Sequence, residues 1–267
     1  MSHLGNDMQW LHVNVLIGML WALMLASSLA TASENSFSDL VFFTENYPPS
    51  NFSEGDVAKG YSVDILVAAA AAVGQEIKPS QIQVVPWSFA YKETLTNPKA
   101  VLFSTTRTSH REQLFNWVGP ITDAKLVLIT RKGSKVKIDN PIDIAKYRVG
   151  VVRDDIGEQK LLALGIPRAA MREAPYVTRL LELLLKNRID LLAFSENSIY
   201  WWSAKSGLDS SIFETVYILN NGYLYYAFNR SINKSVREEL QKGLNRIKAK
   251  KNEDGVTIYQ SIMKKYR

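Results

Sequence analysis

Residues 104–121 read STTRTSHREQLFNWVGPI, and the place of that stretch in the chain decides how the rest is read. Arg107 and Arg111 stand among hydroxyl residues directly after Val101, Leu102 and Phe103. A short, continuously apolar run of that kind reads as a buried strand. The polar cluster then falls in the loop at the strand's C-terminal end, where parallel α/β sheets collect ligands. An arginine there offers a rigid fork of donors suited to a carboxylate. The competing reading makes both arginines exposed, paired with Glu112 or with water.

Outward from that stretch, strand-length apolar runs alternate with longer helical patterns. Residues 40–43, 82–85 and 101–103 read as strands, with a helix over 63–73 that stops at Gly74 and another over 89–96. The rhythm restarts at residue 125. Strands are expected at 125–130, 147–152, 189–194 and 224–228. A helix begins at 156, Leu180, Leu181, Leu184 and Leu185 line a second, and Val236, Leu240, Leu244 and Ile247 a third. Two α/β units of similar size, each a mainly parallel sheet covered by helices, are the expected fold class.

The N-terminus reads differently. Residues 13–30 are almost continuously apolar and run into Ala30-Thr31-Ala32, a small-x-small cleavage pattern. Residues 1–32 are therefore expected to be a secretory signal peptide, with a retained membrane anchor as the alternative. Its first residues carry His3 and His12 but no Lys or Arg, and Met8 is a second candidate start. The chain has no cysteine, which excludes disulfides, thiol chemistry and a lipid-bearing cysteine tether. An exported protein without that tether is most useful in a periplasm, the expected location.

The formal charge is +6, and loss of the segment bearing Asp7 raises it by one. Lys248, Lys250, Lys251, Lys264, Lys265 and Arg267 concentrate positive charge near the end of the chain. No nucleic-acid motif accompanies them, so they read as a solvated helix face. Beyond the leader only His110 remains to serve a Ser-His-Asp triad, and no Gly-x-Ser-x-Gly elbow is present. A zinc site would need several His or Cys ligands, which the chain does not supply. No cofactor or metal is expected.

Four segments then carry a family likeness: residues 44–52 (TENYPPSNF), 60–65 (GYSVDI), 108–120 (TSHREQLFNWVGP) and 187–192 (NRIDLL). In that order and spacing the chain resembles family 3 of the bacterial extracellular solute-binding proteins, the polar amino acid-binding type. The family pattern is Thr-x-x-Arg, an aromatic six residues on, and then proline. Here those are Thr108, Arg111, Trp117 and Pro120. The resemblance implies a two-lobed periplasmic binding protein of the Venus-flytrap kind that closes around its ligand. Residues 33–124 with 219–267 would form lobe 1 and residues 125–218 lobe 2, joined by hinge strands near 122–125 and 218–223. The implied partners are a small-molecule ligand, and a membrane permease of the ABC type or a sensor protein. The chain itself would be a monomer that is not an enzyme.

By its place in the motif Arg111 is the expected partner of a ligand carboxylate, with Thr108 or Ser104 adding a hydroxyl. Tyr47 and Phe52, flanking Pro48-Pro49, and Trp87 are candidates for an aromatic wall or for lobe packing. The family usually sets an aspartate after the second-lobe strand to hold an amino group. That place falls on Ser195, with Glu196 next to it, and Glu196 is the favoured replacement. If the strand continued through both, only one of them would face the cleft, and with Ser195 there the expected cargo is a carboxylate without a free amine or one that needs only a neutral partner. A helix-start loop that is often Gly-Thr in the family reads Arg153-Asp154-Asp155, so Asp155 either meets a cationic ligand or caps the helix. Arg107 is an extra cation. Some enzymes on this fold remove water from cyclic amino acid precursors with an acidic cleft residue, and for that alternative Glu196 is the candidate.

Overall fold

β1 (Val41–Thr44) lies between β4 (Ile82–Val84) and β5 (Ala100–Thr106) and runs parallel to both in a computed structural model that describes residues 36–266. The expected signal peptide and its cleavage site lie outside the described residues. β5 is buried along almost its whole length, as its apolar run requires. Beyond it the sheet continues through β11 (Phe213–Phe228), β7 (Asp123–Arg131), β10 (Leu191–Ser195), β8 (Val149–Val152) and β9 (Met171–Ala174). β6 (Asn116–Val118) pairs separately with β11, and β2 (Phe52–Glu54) forms a small ribbon with β3 (Val57–Lys59).

Pairing is parallel at the two ends of the sheet, β4–β1–β5 and β10–β8–β9, and antiparallel around β7 and β11. β11 crosses from one half to the other: residues 213–223 pair with β7 and residues 224–228 with β5 and β6. Only the second portion, residues 224–228, is legible as a buried run. Residues 214–223 are intermediate or exposed, so apolar periodicity gives no strand signal there.

The helices bury the faces their sequences mark. α1 (Tyr61–Ala71) begins at Gly60, whose φ is 120° and where a Cβ would sit 2.2 Å from the Ser50 carbonyl oxygen. Only glycine tolerates that approach. α2 (Trp87–Thr96) crosses between β4 and β5, and α3 (Ile156–Ala163) follows β8. α4 (Val177–Leu185) buries Val177, Leu180, Leu181 and Leu184, while α5 (Glu196–Lys205) follows β10. α6 (Lys234–Ala249) buries Val236, Leu240, Leu244 and Ile247 against α1, and α7 (Ile258–Lys265) completes that layer. One apolar cluster joins Phe43, Trp87 and Leu102 to Val152, Phe194 and Ile199, so core packing runs across both halves of the sheet.

Candidate functional site

β5 ends at Thr106, and a tight turn after it leads to Arg111. Thr108 makes that turn: its carbonyl and its Oγ1 accept from the Arg111 N–H at 3.0 and 3.3 Å. The Arg111 side chain is completely buried. Its guanidinium lies 4.9 Å from the Trp87 ring centroid and 5.3 Å from that of Tyr91, within range of a cation–π attraction. Nη1 donates to the Thr106 carbonyl at 3.3 Å and Nη2 to the Asp154 carbonyl at 3.4 Å, while Nε has no partner. Those bonds are long for charge-assisted ones, so this cation is held in place but poorly satisfied.

Two carboxyls share its surroundings. Asp155 stands at the start of α3, 4% exposed, and its Oδ2 has no hydrogen-bond partner. Its side chain does not cap the helix. Glu158 instead accepts from the Asp154 N–H at 2.7 Å, with Asp154 held at a φ of 59°. Burial raises the Asp155 pKa, against the lowering effect of Arg111. Glu45, just past the end of β1 and 9% exposed, is raised well above 4.5 by burial and by the charge of Asp155, which Arg111 offsets only in part. Burial lowers the Arg111 pKa, and Asp155 is the first of the groups that hold it up. Two buried acids thus face one buried base.

These groups lie where the N-terminal segments meet the segments that follow β8 and β10. Trp87 Nε1 donates to the Asp154 carbonyl at 2.9 Å, and Ser198 Oγ to the Pro48 carbonyl at 2.5 Å. Tyr47 packs edge-on against Phe194, and Phe52 packs tilted against Trp201, both at 5.1 Å between centroids. A cavity of about 440 Å³ opens along the seam between Pro49, Tyr61 and Asp123 on one side and Asn197, Tyr200 and Trp201 on the other.

Arg111, Asp155, Trp87, Tyr47 and Ser195 gather on the same seam but do not line that cavity. Thr108 serves the turn. Ser104, at a φ of 59°, joins its hydroxyl to Ser50 Oγ at 2.9 Å, which meets Ser62 Oγ at 2.7 Å. Three placements differ from the sequence expectation. Arg107 turns outward to pair with Glu112 at 2.5 and 2.7 Å, its guanidinium 5.7 Å from the Trp117 and Tyr225 ring centroids. Glu196 is held by Lys125 at 2.8 Å and Thr215 at 2.7 Å, and those bonds outweigh burial and lower its pKa. The strand does not continue through Glu196, because Ser195 is the N-cap of α5 and accepts from the Ser198 N–H. It is Ser195 that lies buried beside Tyr47. Sequence reasoning left Glu45 and Tyr91 out of the site. Glu45 carried the same signal as Arg111, its place at the C-terminal end of a buried strand.

Residues 40–266 match the sequence profile of the bacterial extracellular solute-binding proteins, family 3. The chain belongs to that family. Solved structures agree on the fold. An ancestral arginine-binding protein bound to arginine is 17% identical, with a TM-score of 0.70 over 86% of this chain and 99% of that one. A histidine kinase sensor domain with similarity to periplasmic binding proteins gives 18% and 0.72 over 85% and 95%. The GluR0 ligand-binding core from Nostoc punctiforme, in complex with L-glutamate, gives 22% and 0.68 over 85% and 98%. No curated protein sequence matches the chain. In this family-3 chain no helix among the described residues is long and apolar enough to cross a membrane, and no cluster of three or more His, Cys, Asp or Glu there is arranged to hold a metal.

Proposed function

We propose that this protein is a periplasmic receptor that captures a small carboxylate-bearing ligand, an amino acid or a relative of one, and delivers it to an ABC-type permease. One lobe would comprise the N-terminal segments with the C-terminal helices, the other residues 125–218, and the paired strands β7 and β11 would be the connection that bends. The observation carrying this reading is Arg111, a completely buried cation with an orphaned Nε on the seam between those lobes. A carboxylate that accepts from Nε and Nη2 would satisfy the guanidinium, and the closed, low-dielectric seam strengthens that pair. Solved relatives of the fold include one named as the substrate-binding protein of an amino acid ABC transporter, which supports transport. The sensor-domain relative supports a second reading, in which the loaded receptor docks on a sensor instead. In either case the ligand is bound and released unchanged.

A thermal-shift screen against amino acids, amines and amine-free carboxylates identifies the ligand class, because a ligand that binds only the folded state raises the melting temperature. Calorimetry on Arg111→Ala then tests the anchor. Losing a buried charged partner costs roughly 2–5 kcal/mol, some thirty-fold to several thousand-fold in affinity. Unchanged affinity in a folded Arg111→Ala protein would remove the reading.

A further inference from the structure

We infer that Glu45 and Asp155 select the ligand by its charge, and that the cleft takes an amino acid carrying a second cationic group on its side chain. The inference rests on Arg111 as the carboxylate anchor and adds what the rest of the ligand must be. The buried charges on the seam do not balance: Glu45 and Asp155 face Arg111 alone. Two acids beside one buried cation are not both ionised without cost, so this set holds an extra proton, the direction in which burial and Asp155 push Glu45, until a second cation takes the proton's place.

Apart from the exposed Asp154, the neighbouring charges are committed elsewhere. Glu158 is bound by Arg168, Glu173 by Arg153 at 2.8 Å, Glu196 by Lys125 at 2.8 Å, and Arg107 by Glu112. Ser195, beside Tyr47, supplies no charge. The orphaned atoms state the same demand in hydrogen bonds. Arg111 Nε needs an acceptor and Asp155 Oδ2 needs a donor, both inside the buried set.

A zwitterion with a neutral side chain would satisfy both orphans yet leave one acid without a counter-charge. An acidic amino acid would leave two. A simple amine would balance the charge but offer Nε nothing to donate to. A ligand with one carboxylate and two cationic groups meets every requirement at once. The Trp87 and Ser198 bonds across the seam must part for it to enter.

Titration calorimetry with lysine, ornithine, arginine, glutamine, glutamate and pentylamine tests this. At least one of the three basic amino acids should bind roughly thirty-fold or more tighter than glutamine, glutamate or pentylamine, the scale set by one buried charge pair. Glu45→Gln, which keeps the shape, should erase most of that preference while glutamine binding persists. Asp155→Asn gives an independent second variant, and thermal unfolding reports whether each is folded. Failure of all three basic amino acids to bind overturns the inference. So does equal binding of glutamine, glutamate or pentylamine, or a preference unmoved in both variants. If glutamine binds as tightly as lysine and still depends on Arg111, the charge rule alone falls. If lysine binds Arg111→Ala unchanged, the anchor itself falls.

Discussion

Glu45 is the residue whose energetics depend most on what enters the cleft. Its pKa in the folded protein is raised above 4.5 by burial and by Asp155, and that of Asp155 is raised above 3.8 by burial. A carboxyl whose folded pKa is raised binds its proton more tightly folded than unfolded. Its contribution to stability is therefore present below the unfolded pKa and lost as pH rises through the folded one. Without ligand the melting temperature should fall as pH increases from 4.5 towards alkaline values. Glu45→Gln should flatten that fall and melt higher at alkaline pH, because it removes an uncompensated buried charge. Thermal melts across a pH series decide it, and a flat wild-type profile would show that the acids are already compensated. At this scale both residues stand at the C-terminal end of a buried strand, but only Arg111 was singled out from the sequence. Arg111 sits in a motif, whereas the electrostatic setting of Glu45 depends on Asp155, on a segment far away in the chain.

Among the elements, those whose own sequence carries a period were legible, and those that depend on a partner were not. α4 and α6 place leucines at helical spacing, and β5 is apolar from end to end, so each declares itself. The first portion of β11 exists because β7 pairs with it, and Asn220, Asn221 and Gly222 would otherwise read as a break. The same dependence explains Ser195, whose direction follows from where β10 stops and α5 begins. Gly243 makes a testable case in the α1–α6 contact. In an exposed helix, replacing glycine by alanine gains up to about 1 kcal/mol. Here a Cβ would sit 2.0 Å from the backbone oxygen of Ala69, and a backbone atom cannot swing aside. The clash wins: Gly243→Ala should destabilise by about 1–3 kcal/mol as the helices are forced apart. Denaturant unfolding showing a neutral or stabilised variant would mean that the contact is looser than this geometry.

For the whole molecule, the bridged seam has a kinetic consequence. The seam is bridged by Trp87 to Asp154, Ser198 to Pro48, and two aromatic pairs, so a ligand bound for Arg111 must wait for the proposed lobes to part. When only a fraction of molecules is open, the observed association rate scales with that fraction. Ser198→Ala tests this without touching a residue placed around Arg111. It leaves the buried Pro48 carbonyl without the bond from Ser198 Oγ, at 2.5 Å, in the closed form, while in an open form water replaces it. Closure should weaken by about 1 kcal/mol, roughly a five-fold shift in the open-to-closed ratio. The loaded form is closed as well and loses the same bond, so association and dissociation should both speed up by similar factors while affinity stays nearly constant. Stopped-flow tryptophan fluorescence reads the rates, and small-angle scattering of the ligand-free variant should show a larger radius of gyration. An association rate identical to wild type would mean that the ligand reaches Arg111 without the seam opening.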